Sequence, residues 1–201
     1  MAAPLVLAST SPWRAQILAD VGIACAVVPP GFDEDAVVGS DPVDLAVRRA
    51  AGKAWAVARG RPDAWVAGAD QVAHLDGEAF GKPRDPDDHR RRLRQLRGRT
   101  HHLTTAVSLV VDAVEHRLVT HTGIVFRGDL EDAELDAYVA SGDGSGCAGG
   151  YRAEGPGGVL IAAIEGDWFN VIGLPVFPLV SLLRSLGWRP AFPVAPTGDV
   201  A

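Results

Sequence analysis

The sequence predicts an α/β fold, and three features carry the prediction. The chain opens on an apolar run that passes into a capped helix. A long helical pattern then leads into the buried-type strand WVAGA, and two long alternating runs follow that suit an antiparallel pair with one wet face.

Taken in order, Pro4 to Ala8 reads as a strand entering the polar stretch Ser9, Thr10, Ser11. Ser11 is placed as a helix N-cap and Pro12 at the first helical position, with Gly22 closing that helix. Cys25 to Val28 reads as a second strand, followed by a turn-rich loop carrying Asp33 and Glu34. Asp41 and Pro42 repeat the cap-then-proline signal, and Leu45, Ala46, Arg49, Ala50, Lys53, Ala54 and Val57 follow at helical spacing up to Gly60. Trp65 to Ala69 is expected as a strand ending at Asp70 and Gln71, and Val72 to Phe80 as a hairpin turned at Asp76 and Gly77. Asp85 and Pro86 start an arginine-rich helix that Gly98 ends. Thr100 to Asp112 and Val114 to Arg127 are the antiparallel pair, and Asp129 to Ala140 is a helix. A glycine-rich stretch leads to a strand over Val159 to Ile164 and a last helix over Pro175 to Leu186. Residues 1–188 are expected to form one domain, and the Pro/Ala-rich stretch 189–201 a disordered tail with little to bury.

The 201 residues are 47% hydrophobic and 22% charged, as in ordinary soluble globular chains. No apolar run approaches the roughly 20 residues that span a bilayer, and the N-terminus lacks the pattern of a secretory signal, so a cytoplasmic protein without a membrane partner is expected. The net charge of −6 gives no global attraction to nucleic acid, so an anionic ligand must be held by local cations. Of the 19 basic residues only Lys53 and Lys82 are lysines, which singles out both in a chain otherwise built with arginine. Cys25 and Cys147 form no close-spaced pair and are expected as buried free thiols.

Some patterns resemble chemistry without supporting it. Gly144, Gly146 and Gly149 fit the dinucleotide-binding spacing, yet they follow a helix and lead toward a strand, the reverse of what that motif needs. Arg90, Arg91, Arg92, Arg94 and Arg97 read as a solvated helix face balanced by Asp85, Asp87 and Asp88. His101 and His102 fall on opposite sides of a strand, cannot share one metal, and are expected as surface or sheet histidines.

A different set converges. Ser9, Ser11 and Arg14 lie where a strand becomes a helix, so hydroxyls, helix N-terminal amides and a guanidinium can meet one anion. Asp70 after a buried strand, Glu34 in a loop and Lys82 in the turn Gly81, Lys82, Pro83 supply two acids for a divalent cation and further positive charge for a polyphosphate.

The ordered motifs LASTSPWR, FDE, GADQ, GKP, THH.TTAV, CAGGYRAEG and IGLP resemble the Maf family of nucleotide pyrophosphatases over roughly residues 4–188. The resemblance implies a Maf/ITPase-like elongated mixed sheet with helices and two lobes around a central cleft. It implies hydrolysis of a nucleoside triphosphate to the monophosphate and pyrophosphate with a divalent metal, Mg²⁺ or Mn²⁺. Carried over, Asp70 is the proton acceptor and, with Glu34, a metal contact; Lys53 and Lys82 are catalytic, while Ser9 and Arg14 bind phosphate. Trp13, Gln71 and Glu154 depart from the pattern of the dTTP/UTP enzymes and are similar to a subgroup acting on 7-methylguanosine triphosphate. A tryptophan face and a carboxylate would suit that cationic base. A dTTP/UTP enzyme and a non-catalytic nucleotide-sensing regulator of cell division are the alternatives. A homodimer is left open.

Overall fold

The computed structural model describes residues 4–190, so all but the first two residues of the expected tail lie outside the described residues. Among those residues, seven strands form one mixed sheet: β1 (Leu5–Ala8), β2 (Ala26–Val28), β3 (Trp65–Leu75), β4 (Glu78–Phe80), β5 (Thr100–Val111), β6 (Val114–Phe126) and β7 (Ile161–Glu165). Their spatial order is β2-β1-β3-β5-β6-β7, with β4 paired to β3. The β2, β1 and β3 strands are parallel, and the rest pair antiparallel. Among the described residues, six α-helices surround the sheet: α1 (Pro12–Asp20), α2 (Pro42–Ala58), α3 (Pro86–Leu96), α4 (Asp132–Ala140), α5 (Trp168–Ile172) and α6 (Val176–Ser185).

Local chemistry places most boundaries. Ser11, Asp41 and Asp85 cap α1, α2 and α3 with their side-chain oxygens, each ahead of a proline. The β3–β4 hairpin turns at Asp76 and Gly77, both at positive φ. Asp112 and Ala113 at positive φ join β5 to β6.

The alternation of side chains along β3 distributes the core. Ala67 and Ala69 meet α1 and α6 at one end of the sheet. Ala73 and Leu75 point the same way at the other end, where they join the core of α3 and α4. Val66 and Val72 point to the opposite face, against α2. Helix and strand come close there: a Cβ on Gly68 would lie 2.5 Å from the Ala54 amide nitrogen. The elongated sheet thus carries two apolar lobes along one face.

Several expectations need correction. Asp70 does not end a strand, because β3 runs on to Leu75 and pairs with β5 from Val66 to His74. It is the neighbour that ends. β1 pairs with β3 only as far as Gly68, and β4 joins only at Ala73. Among the described residues, Ala69 to Val72 therefore have no strand on that side, and the gap opens a cleft.

The fourth helix starts at Asp132 rather than Asp129 because Glu131 and Glu134 form a capping box. β7 starts at Ile161, since Pro156–Leu160 form a 3₁₀ turn. The short α5 was not expected. His101 is fully buried and bonds the Tyr151 hydroxyl at 2.7 Å, whereas His102 on the other face is exposed. The arginine run is largely paired rather than simply solvated: Arg91 and Arg92 bond the buried Asp88, Arg90 bonds Asp136, and Arg94 and Arg97 bond Asp132, tying α3 to α4. Both cysteines are free but only half-buried, and Cys147 borders the cleft instead of packing in the core.

Candidate functional site

A cavity of about 1030 Å³ fills the gap beside β3. Its wall gathers the end of β1, the start of α1, the β2–α2 loop, one face of α2, the β4–α3 turn and the glycine-rich segment. Ser9, Trp13, Arg14, Glu34, Lys53, Asp70, Gln71, Lys82 and Glu154 all line it. Residues from six separate stretches of chain meet because β1, β3 and α2 deliver three of those stretches to the same open edge.

Lys53 sits at the centre. It is 3% exposed, and its Nζ lies 2.8 Å from Asp70 Oδ1 and 2.6 Å from Glu34 Oε2. A weaker contact of 3.4 Å reaches the Ala69 carbonyl. The ammonium thus separates two carboxylates that would otherwise repel. Geometry makes Lys53 a bridge between the two acids.

The two carboxyls are tuned apart. Burial pushes the Asp70 carboxyl above its ordinary range, opposed by Lys53 and Arg14. Glu34 also feels a burial penalty, but bonding to Lys53 and the charges of Lys53, Arg14 and Arg49 hold it below its ordinary range. A pair separated in this way suits one group as base and the other as a constant anion. Asp70 Oδ2 is buried with no hydrogen-bond partner among the described residues, while Oδ1 is taken by Lys53.

Ser9 is 2% exposed and its Oγ accepts from the Ser11 amide at 3.1 Å. The half-buried Arg14 donates through Nε to the Gly173 carbonyl at 2.9 Å, which anchors the guanidinium at the cavity wall. Lys82 is exposed and makes no salt bridge among the described residues. Gln71 Nε2 is committed to the Thr105 hydroxyl at 3.0 Å and the Asn170 carbonyl at 2.5 Å. Trp13 is 42% exposed, and the Arg152 guanidinium lies over its ring at 5.8 Å from the centroid. Glu154 is exposed at the rim.

Sequence reasoning missed Arg49, Phe32 and Arg152 as cavity residues. Arg49 carried a signal, since it lies four residues before Lys53 on the same helix face. Phe32 and Arg152 lie inside the motifs FDE and CAGGYRAEG, but each belongs to a loop whose path the local sequence does not set.

The charged lining comprises Arg14, Arg49, Lys53, Lys82 and Arg152 against Asp33, Glu34, Asp35, Asp70 and Glu154, which balance formally. A polyphosphate would enter with charge that the protein does not offset alone. No group of three or more metal-ligating side chains occurs among the described residues. Glu34 and Asp70, the latter with a buried oxygen that has no partner among the described residues, would suit a hard divalent cation.

Residues 4–186 match the family described as Maf-like protein. A nucleoside triphosphate pyrophosphatase of Synechococcus sp. (strain JA-2-3B'a(2-13)) is 42% identical over 94% of this chain and 96% of its own length. The dTTP/UTP pyrophosphatases of Thermus thermophilus and Anaeromyxobacter dehalogenans are each 42% identical, covering 93% and 94% of this chain and 97% and 96% of theirs. Among solved structures, the Staphylococcus aureus Ham1 protein overlaps in part, with a TM-score of 0.46 and 16% identity over 62% of this chain and 72% of that one.

Proposed function

The chain belongs to the Maf family, and from that premise we propose that its cavity hydrolyses a nucleoside triphosphate to the monophosphate and pyrophosphate. The observation that carries the reading is the buried Asp70–Lys53–Glu34 cluster beside the start of α1. Asp70, with its raised pKa and unpaired Oδ2, takes the proton of the attacking water. Lys53 holds Asp70 and Glu34 in place, while Ser9, Arg14 and Lys82 provide donors for phosphate oxygens. Glu34 and Asp70 would hold a divalent cation, Mg²⁺ or Mn²⁺, which when bound supplies charge neutralisation on the phosphates. The intact acids and lysines favour this enzyme over a non-catalytic nucleotide sensor.

For the base, the names of the relatives support dTTP and UTP. Arg152 over Trp13 points the same way, because a guanidinium already on that ring repels a second cation. A second reading, 7-methylguanosine triphosphate, is favoured by Trp13 and Glu154 lining one cavity, an aromatic face and a carboxylate together. Pyrophosphate release measured with a panel of nucleoside triphosphates, each with Mg²⁺, Mn²⁺ or chelator, tests both levels. Turnover of none of them overturns the hydrolase reading. Preference for the methylated purine over dTTP and UTP overturns the pyrimidine reading alone.

A further inference from the structure

Glu34 lies on the exposed loop between β2 and α2, yet its carboxylate reaches a lysine that is 3% exposed. Something must hold that loop. Three residues on one stripe of α2, at positions i, i+3 and i+4, engage two loop residues. Arg49 donates from Nε to the backbone carbonyl of Glu34 at 3.0 Å. Gly52 lies under the Phe32 ring so closely that a Cβ there would fall within 2.7 Å of three ring carbons. Lys53 then takes the Glu34 carboxylate. Further along the loop, Gly39 packs on the next turn of chain, where a Cβ would lie 2.5 Å from the Leu45 amide nitrogen.

A glycine inside a helix is unfavourable for the helix itself. Gly52 exchanges that loss for a seat that accepts an aromatic ring next to the lysine. We propose that Phe32, seated on Gly52 and backed by Arg49, is a positioning residue that sets Glu34 against Lys53 and so completes the acid pair with Asp70. Phe32 and Gly52 act through Glu34, without themselves reaching the reacting atoms. This inference rests on the hydrolase reading of the cavity, but the seating of the loop is measurable without it.

The test uses Phe32→Ala, which leaves α2 untouched, and Gly52→Ala, which displaces the ring while improving the helix. Amide hydrogen exchange across residues 32–38 is expected to quicken at least tenfold in both variants, with exchange in β3 and β5 unchanged. At saturating substrate, kcat should fall about tenfold and the divalent-cation concentration for half-maximal turnover should rise, while the substrate KM stays within about twofold. In a Glu34→Gln background, adding either substitution should lower kcat by less than about twofold further. Unchanged exchange in both variants overturns the proposal, as does a full tenfold further loss in the Glu34→Gln background. If exchange quickens as expected but the unmodified protein hydrolyses no nucleoside triphosphate, the seating stands and the hydrolase reading fails.

Discussion

Replacing Lys53 with methionine keeps the length of the side chain and removes the charge that separates Asp70 from Glu34. At 2.8 Å and an effective dielectric constant of about 20, the gross attraction to Asp70 is roughly 6 kcal/mol, most of which offsets desolvation. Leaving a buried carboxylate uncompensated typically costs about 3–5 kcal/mol. The variant can escape by protonating Asp70, and that escape limits the loss. Taking up a proton costs about 1.4 kcal/mol per pH unit above the ordinary carboxyl value of 3.8. The limit is therefore about 6 kcal/mol at pH 8 but only about 2 kcal/mol at pH 5. A carboxyl whose folded pKa is raised loses stability as pH rises, so the variant should be about 3–5 kcal/mol less stable than wild type at pH 8 and at most about 2 kcal/mol less stable at pH 5. Urea unfolding at the two pH values measures this. Turnover should fall about 10²-fold or more at pH 7, with the acid limb of the pH–rate profile moved upward. A variant within 1 kcal/mol of wild type at pH 8, with that acid limb unmoved, would refute the bridging role of Lys53.

Asp70→Asn should fold and lose about 10²- to 10⁴-fold in turnover, because an amide keeps the shape but cannot accept the proton; near wild-type pyrophosphate release from a folded variant removes Asp70 as base. Burial, with smaller contributions from His102 and His74, pushes the His101 imidazole down to about 4 from 6.5. As pH falls below 6.5 the unfolded chain takes the proton first, so folding stability is lost down to about pH 4, by about 2.5 kcal/mol at pH 4.5. His101→Phe should abolish that part of the acid dependence while costing about 1–3 kcal/mol at pH 7.5 from the orphaned Tyr151 hydroxyl; equal pH slopes in the two proteins would refute it. Changing Trp13 to Arg and Glu154 to Gln together should lower the efficiency ratio of 7-methylguanosine triphosphate to UTP by roughly tenfold if those side chains read a cationic base. An unchanged ratio places base recognition elsewhere.

The element sequence was legible because its signals are local. Ser11–Pro12, Asp41–Pro42 and Asp85–Pro86 mark helix starts through bonds that span two or three residues, and Asp76–Gly77 marks a turn through its own backbone. The residue types around the cavity were legible too, since a chain with two lysines and 17 arginines makes Lys53 and Lys82 conspicuous. Their arrangement was not. That Asp70 lies mid-strand beside a gap depends on where β1 stops and β4 begins, which is a property of pairing between distant segments. That Lys53 bridges two acids depends on α2 packing over β3 at Gly68, and that Arg152 covers Trp13 depends on the path of a glycine-rich loop. Local bonds are written in adjacent residues and can be read from them. Contacts of Lys53 with Glu34 and Asp70, and of Arg152 with Trp13, exist only once the sheet has brought those segments together, so the tertiary structure alone decided them.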